Sequence, residues 1–228
     1  MDYMIIISTI ILTVCAYLVS RFLFLRYGHP LFNIVLLGTS IVVVFLLLAK
    51  WPYSAYAPGK EIMTFLLGPA TVALAIPLYK NRELLRKHGI LICVSVATGS
   101  IVSMGLAILI TKFGGLSKEV IISAGPKSVT APIAIEIAQM AGGDPALAVA
   151  FVVATGTFGG ALGPTLLTWF KITNPKARGL ALGTVAHAQG VAMSLLEGED
   201  RAAMASSAMA LAAVFASAFA PILLYCLI

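Results

Sequence analysis

"AGPKSVTAPIAIEIAQM", residues 124–140, is the stretch on which the reading of this chain turns. It lies among long apolar runs, yet it holds Gly125, Pro126, Lys127, Ser128, Thr130, Pro132 and Glu136. Proline inside a helix removes a backbone donor and collides with the carbonyl four residues back. Gly125 and Pro126 are therefore expected to end one half-helix. Ser128 or Thr130 then caps the next, with Pro132 in or near its first turn, where a missing N–H costs little. The product is a broken helix at which a positive N-terminus, free amides, two hydroxyls and an ammonium converge, which is an anion site. The plainer alternative is a structural kink beside a lysine that snorkels to the headgroups.

Outside this stretch the chain reads as a membrane protein. Of 228 residues, 60% are hydrophobic and 11% charged, against about 25% charged in an ordinary soluble domain. The expected fold is all-α, a polytopic integral membrane protein forming a single transmembrane domain over 1–228. About 20 apolar residues cross a bilayer as helix, which marks segments near 4–25, 31–49, 61–79, 89–111, 119–140, 146–170, 178–196 and 203–227, seven or eight in all. Segments 31–49 and 89–111 read as ordinary lipid-compatible helices. In 61–79, Gly68, Pro69 and Pro77 interrupt the hydrogen-bond ladder, which is tolerated only against protein or a watery cavity. "GTFGGALGP", 156–164, with Gly156, Gly163 and Pro164, permits close helix packing and is compatible with a homodimer. "TVALA" at 71–75 recurs as "TVAHA" at 184–188, suggesting halves of about 1–113 and 114–228 related as inverted repeats with discontinuous helices.

The net charge of +6 comes from Lys and Arg dispersed through short loops. They form no basic stripe, so nucleic acid is not expected as a partner. If all eight segments cross, the loop cations divide seven against seven. If 119–140 enters and leaves by one face, they divide nine against five, and the positive-inside rule has a clear answer. Arg21 and Arg26 follow the first apolar run, so the N-terminus is expected outside. Cys15, Cys93 and Cys226 lie far apart without CxxC spacing, so no metal is expected. No cofactor motif or nucleophile–base pair is evident, and the chain does not read as an enzyme.

Within the apolar interior this reading leaves three ionisable groups, Lys127, Glu136 and His187, each a functional candidate by default. In a continuous helix Lys127 and Glu136 stand about 13 Å apart and cannot pair. The segment "RGLALGTVAHAQGVAMSLLE", 178–197, adds Gly183, Thr184 and Gln189 around His187. Histidine exchanges a proton near neutrality, which makes His187, with Glu136, a candidate for proton coupling. The "EGED" run, 197–200, reads as a solvated loop face.

"GPKSVTAPIAIEI", "GTFGGALGP", "ARGLALGTVAHAQG" and "FLLGPATVALAIPLYK" together resemble the LrgB/CidB family of bacterial inner-membrane proteins, over about residues 30–227. The resemblance implies a multi-pass protein of the inner (cytoplasmic) membrane with a small holin-like partner of the LrgA/CidA type, modulating murein hydrolase activity and autolysis. Related proteins include the plastid glycolate/glycerate translocator, and some bacterial members are linked to pyruvate uptake. A small anionic carboxylate would suit the site argued above. Lys127, Ser128, Thr130, Pro132, Gly183, Thr184 and His187 match the family pattern. Ala131 replaces a second threonine of that pattern, and residues 190–193 depart from it as well.

Overall fold

The computed structural model describes residues 2–27, 32, 34–66, 69, 72–73 and 75–228. Apart from a single 3-10 residue, the regular structure among them is helical. The chain divides into two compact units, 1–72 and 73–228. In the first unit α1 (Asp2–Tyr27), α2 (Ile34–Leu48) and α3 (Tyr53–Phe65) pack together. Gly59 of α3 lets that helix close on Thr9 of α1. The Thr13 and Tyr56 hydroxyls bond 2.9 Å apart across the same pair.

The second unit holds α4 (Ala75–Lys80), α5 (Arg82–Phe113), α6 (Lys118–Ala124), α7 (Ala131–Ala141), α8 (Pro145–Trp169), α9 (Pro175–Glu197) and α10 (Glu199–Leu227). Its helix starts are written in the sequence. Ser117, Asp144 and Asn174 accept amide protons from the first turns of α6, α8 and α9, and Pro145 and Pro175 occupy early positions where no N–H is needed. Among the described residues five helices, α1, α5, α8, α9 and α10, are long and apolar enough to cross a membrane. With the relatives described below, these make the chain a multi-pass membrane protein.

Two of the segments marked in the sequence turn back: 178–196, expected to cross, and 119–140, for which crossing and re-entry were both open. In α9, His187 takes φ 40° and ψ −130°, which no helix contains. Arg178 and Glu197 would stand about 28 Å apart on a straight helix. Their charged atoms are 2.6 Å apart. Gly190 lies against the Leu182 carbonyl, so the two arms of this hairpin touch near its tip. The expected crossing at 178–196 is therefore corrected to a hairpin, 175–186 out and 188–197 back.

The second hairpin is 118–144. The α6 helix stops at Ala124, and α7 restarts at Ala131. The chain then returns so that the Asp144 amide donates to Ser123 Oγ at 2.8 Å. Segment 61–79 is likewise not one helix, since α3 ends at Phe65 and α4 starts at Ala75. Pro69 falls between them. Gly68, Thr71 and Leu74 lie outside the described residues, as does the side chain of Pro77.

The two hairpins lie along α5, α8 and α10 from opposite ends. The base of the first adjoins Asp144, the cap of α8, while the base of the second bonds Pro164, Thr168 and Ile172 at the other end of that helix. Between the first hairpin and its neighbours a core closes on Met104, Ile108, Ile122, Val129, Val152 and Leu224. Around the second, Ile92, Val96, Met204, Ala208 and Ala212 do the same. Small residues dominate α10 on both stretches, and lipid gives no hydrophobic drive between helices, so close contact of backbones carries the packing.

Candidate functional site

Lys127 sits in the turn that joins α6 to α7. Its Nζ donates to Ser103 Oγ of α5 at 3.1 Å and to Ser128 Oγ at 3.2 Å, and those hydroxyls bond each other at 2.7 Å. An ammonium has three N–H donors, so one is left over after these two bonds. The side chain is half-buried and Ser128 is buried. Thr130 occupies the N-cap position of α7 with extended backbone, yet its hydroxyl caps nothing, and Oγ1 is buried with no partner. Pro132 stands in the first turn. The leading amides of a helix have no acceptor within it. A cation, hydroxyls and open amides therefore meet here, an arrangement that accepts negative charge.

The second hairpin gathers another group. His187 Nε2 donates to the Val152 carbonyl of α8 at 3.0 Å, and its ring fills the space that a side chain at Gly156 would need. Gln189 rests on the same glycine, and both residues are buried. Gly159 and Gly163 receive Ala186 and Leu182 in turn, so the glycines of "GTFGGALGP" form a groove for the outbound arm. Pro164 gives its carbonyl to Arg178. Gly183 lies directly on the backbone of Ala205 in α10. Thr184 spends its hydroxyl on the Leu180 carbonyl and sets its methyl group against Gly99 of α5. Gly125 approaches Ile108 and Leu224, and Pro126 is fully buried beside it.

Gly99 and Ser103 are one turn apart on α5, and Val152 and Gly156 one turn apart on α8, about 6 Å in each case. The two hairpin tips thus dock at neighbouring levels on the same helices, without a hydrogen bond between Lys127 and His187 among the described residues. Glu136 is elsewhere, on the exposed face of α7, beside a cleft shared with Lys118 and Tyr225.

Several readings need correction. Helix 89–111 is not merely lipid-compatible, because Ser100 and Ser103 turn toward the broken segment. The spacing of those two serines, three residues apart on one face, was the available signal. Charge is also buried outside the apolar interior, at the root of the second hairpin. Arg178, 6% exposed, places all five guanidinium N–H groups: on Glu197 at 2.9 and 2.6 Å, on Thr168 Oγ1 at 3.1 Å, and on the carbonyls of Ile172 and Pro164 at 3.0 Å each. Glu197 is therefore half-buried in an ion pair with this arginine rather than part of a solvated loop face.

Comparison with known proteins places the chain. Residues 13–226 match the model of the LrgB-like family. The chain is 38% identical to the uncharacterized protein YxaC of Bacillus subtilis, over 96% of this chain and 95% of that one. It is 34% identical to the holin-like protein CidB of Staphylococcus aureus and 33% to that of Staphylococcus epidermidis, covering 98% of this chain and 97% of each relative. No solved structure matches. With its helical membrane architecture and this end-to-end similarity, the chain belongs to the LrgB-like family.

Proposed function

We propose that the chain is a holin-like protein of the bacterial inner (cytoplasmic) membrane that modulates murein hydrolase activity and autolysis together with a small LrgA/CidA-type membrane partner. The observation that carries this reading is the similarity to two CidB proteins over nearly the whole of each chain. Its test is autolysis in a strain lacking this chain, measured with and without the small partner. Lysis kinetics that do not change when either protein is removed would dispose of it.

A second reading is favoured by the interrupted helix: transport of a small monocarboxylate of the glycolate, glycerate, lactate or pyruvate type. Lys127, with Ser128, Thr130 and the opening turn of α7 at Pro132, supplies a cation and donors for the carboxylate. Gly183, Thr184, His187 and Gln189 of the second hairpin would supply further contacts, and His187 or Glu136 would carry the proton if transport is coupled to one. Uptake of labelled glycolate, lactate and pyruvate into proteoliposomes tests this directly, and absence of flux with folded, inserted protein excludes it. Lys127→Ala separates the two readings. Loss of uptake with unchanged lysis control would make the holin-like role independent of transport, whereas loss of both would place it downstream.

A further inference from the structure

The residues from α6 to α10 contain the same plan twice. A hairpin, 118–144, is followed by a long apolar helix, α8; then a hairpin, 175–197, is followed by another, α10. Because α8 separates the hairpins and each is rooted at a different end of it, they point toward each other. Charge follows the same division. Lys80, Arg82, Arg86, Lys87, Lys171, Lys176, Arg178 and Arg201 lie at the end that holds the root of the second hairpin, and Lys112 and Lys118 at the other. Eight against two is a stronger asymmetry than any arrangement in which 178–196 crosses, and it sets the eight-cation end in the cytoplasm.

Where the first tip meets α5, polar groups are left over. Ser100 is 6% exposed, and its hydroxyl has no partner. It lines, with Gly125, Pro126, Ser128 and Val129, a cavity of about 10 Å³, room for one water. The same tip carries the unpartnered Thr130 Oγ1 and the spare donor of Lys127, whose other bonds reach Ser103 and Ser128. Ser103 thus bonds the cation of the tip directly, and Ser100 faces the tip across a gap too small for anything larger than water.

We infer that 118–169 and 175–227 are inverted repeats, and that the first hairpin tip encloses, with Ser100 and Ser103, a binding site for one small monoanion midway through the bilayer. One ammonium sets the ligand at a single negative charge, and the hydroxyls and amides give it donors. The first tip rests on α5 in this structure and must lift for a ligand of three or more heavy atoms to enter. Access from the two faces is governed by different hairpins, since each enters from its own side. The ligand part of this inference rests on the transport reading; the arrangement of the hairpins does not.

The two parts are tested separately. In a protein with Cys15, Cys93 and Cys226 replaced by Ala, single Leu116→Cys, Ala146→Cys, Thr173→Cys and Glu199→Cys variants are labelled with a membrane-impermeant maleimide in oriented vesicles. Residues 116 and 146 should react from one face, and 173 and 199 from the other. If 116 and 146 react from opposite faces, or all four from the same face, the inverted arrangement is wrong. For the site, calorimetry with lactate and pyruvate on purified protein should show saturable binding, weakened at least tenfold by Lys127→Ala and several-fold by Ser100→Val. A disulfide in the Ser103→Cys/Ser128→Cys protein should abolish that binding until reductant is added. No binding of either anion, or binding indifferent to both substitutions and to the disulfide, overturns the site. Flux failing in proteoliposomes while binding persists would count against transport alone.

Discussion

Glu197→Leu is the most direct probe of the doubled-back α9. The substitution removes two charge-assisted acceptors from Arg178, at 2.9 and 2.6 Å, and leaves the guanidinium with Thr168 Oγ1 and two carbonyls. Such bonds contribute about 1.5–3 kcal/mol each. The Glu197 side chain is 20% exposed, so solvent screens part of this and the lower end applies, a loss of about 3 kcal/mol. The Arg201 contact at 3.6 Å adds little, as exposed pairs do. Most of the loss arises from a buried cation left short of partners, so removing that cation as well must restore stability. The Arg178→Met/Glu197→Leu protein should recover at least half of what Glu197→Leu loses. At about 2–4 °C per kcal/mol for a chain of this size, the single variant melts roughly 6–12 °C lower in detergent, and the double variant moves back toward the parent. Equal or additive losses in the double variant would refute the coupling, and with it the closed root of the hairpin.

Three further outcomes follow from positions already described. Gly183→Ala sets a methyl group on the Ala205 backbone and should cost about 2–3 kcal/mol, whereas Gly105→Ala, with open space around it, should leave the melting temperature unchanged or higher. Gly156→Ala competes with the His187 ring for one volume, so amide exchange at 185–190 should accelerate while the core around Ile92 and Val96 stays protected. Thr130→Val removes a buried hydroxyl that has no partner, so stability should hold within about 0.5 kcal/mol, while anion binding falls. A large loss of stability would show that the hydroxyl already has a structural acceptor.

The two breaks differed in how far the sequence announced them. At 125–132 a glycine and two prolines sit within eight residues and act locally, so the interruption was legible, although neither Ser128 nor Thr130 caps α7 through its hydroxyl. At His187 nothing local says stop, because "VAHAQG" carries no proline and its glycine comes three residues after the turn. The unusual backbone of that histidine is held from outside, by Val152, by the groove at Gly156 and by the clasp of Arg178 and Glu197 at the root. Tertiary contact of this kind leaves only faint marks in sequence. Here the mark was an arginine and a glutamate at the two ends of a supposed crossing. The serines of α5 were faint for a different reason, since a hydroxyl in an apolar helix ordinarily bonds its own backbone, and only their three-residue spacing marked a shared face.

The contact of Gly183 with the backbone of Ala205 bears on biosynthesis. A ribosome releases α9 before it has made the helix against which that glycine fits, and a hairpin with an arginine and a glutamate at its root has no neighbour on that side until the 29 residues of α10 emerge. Neither arm of it is long enough to be threaded across the bilayer by itself. A helix synthesised later is thus the one that seats its predecessor, and maturation of this hairpin waits for α10 to be made.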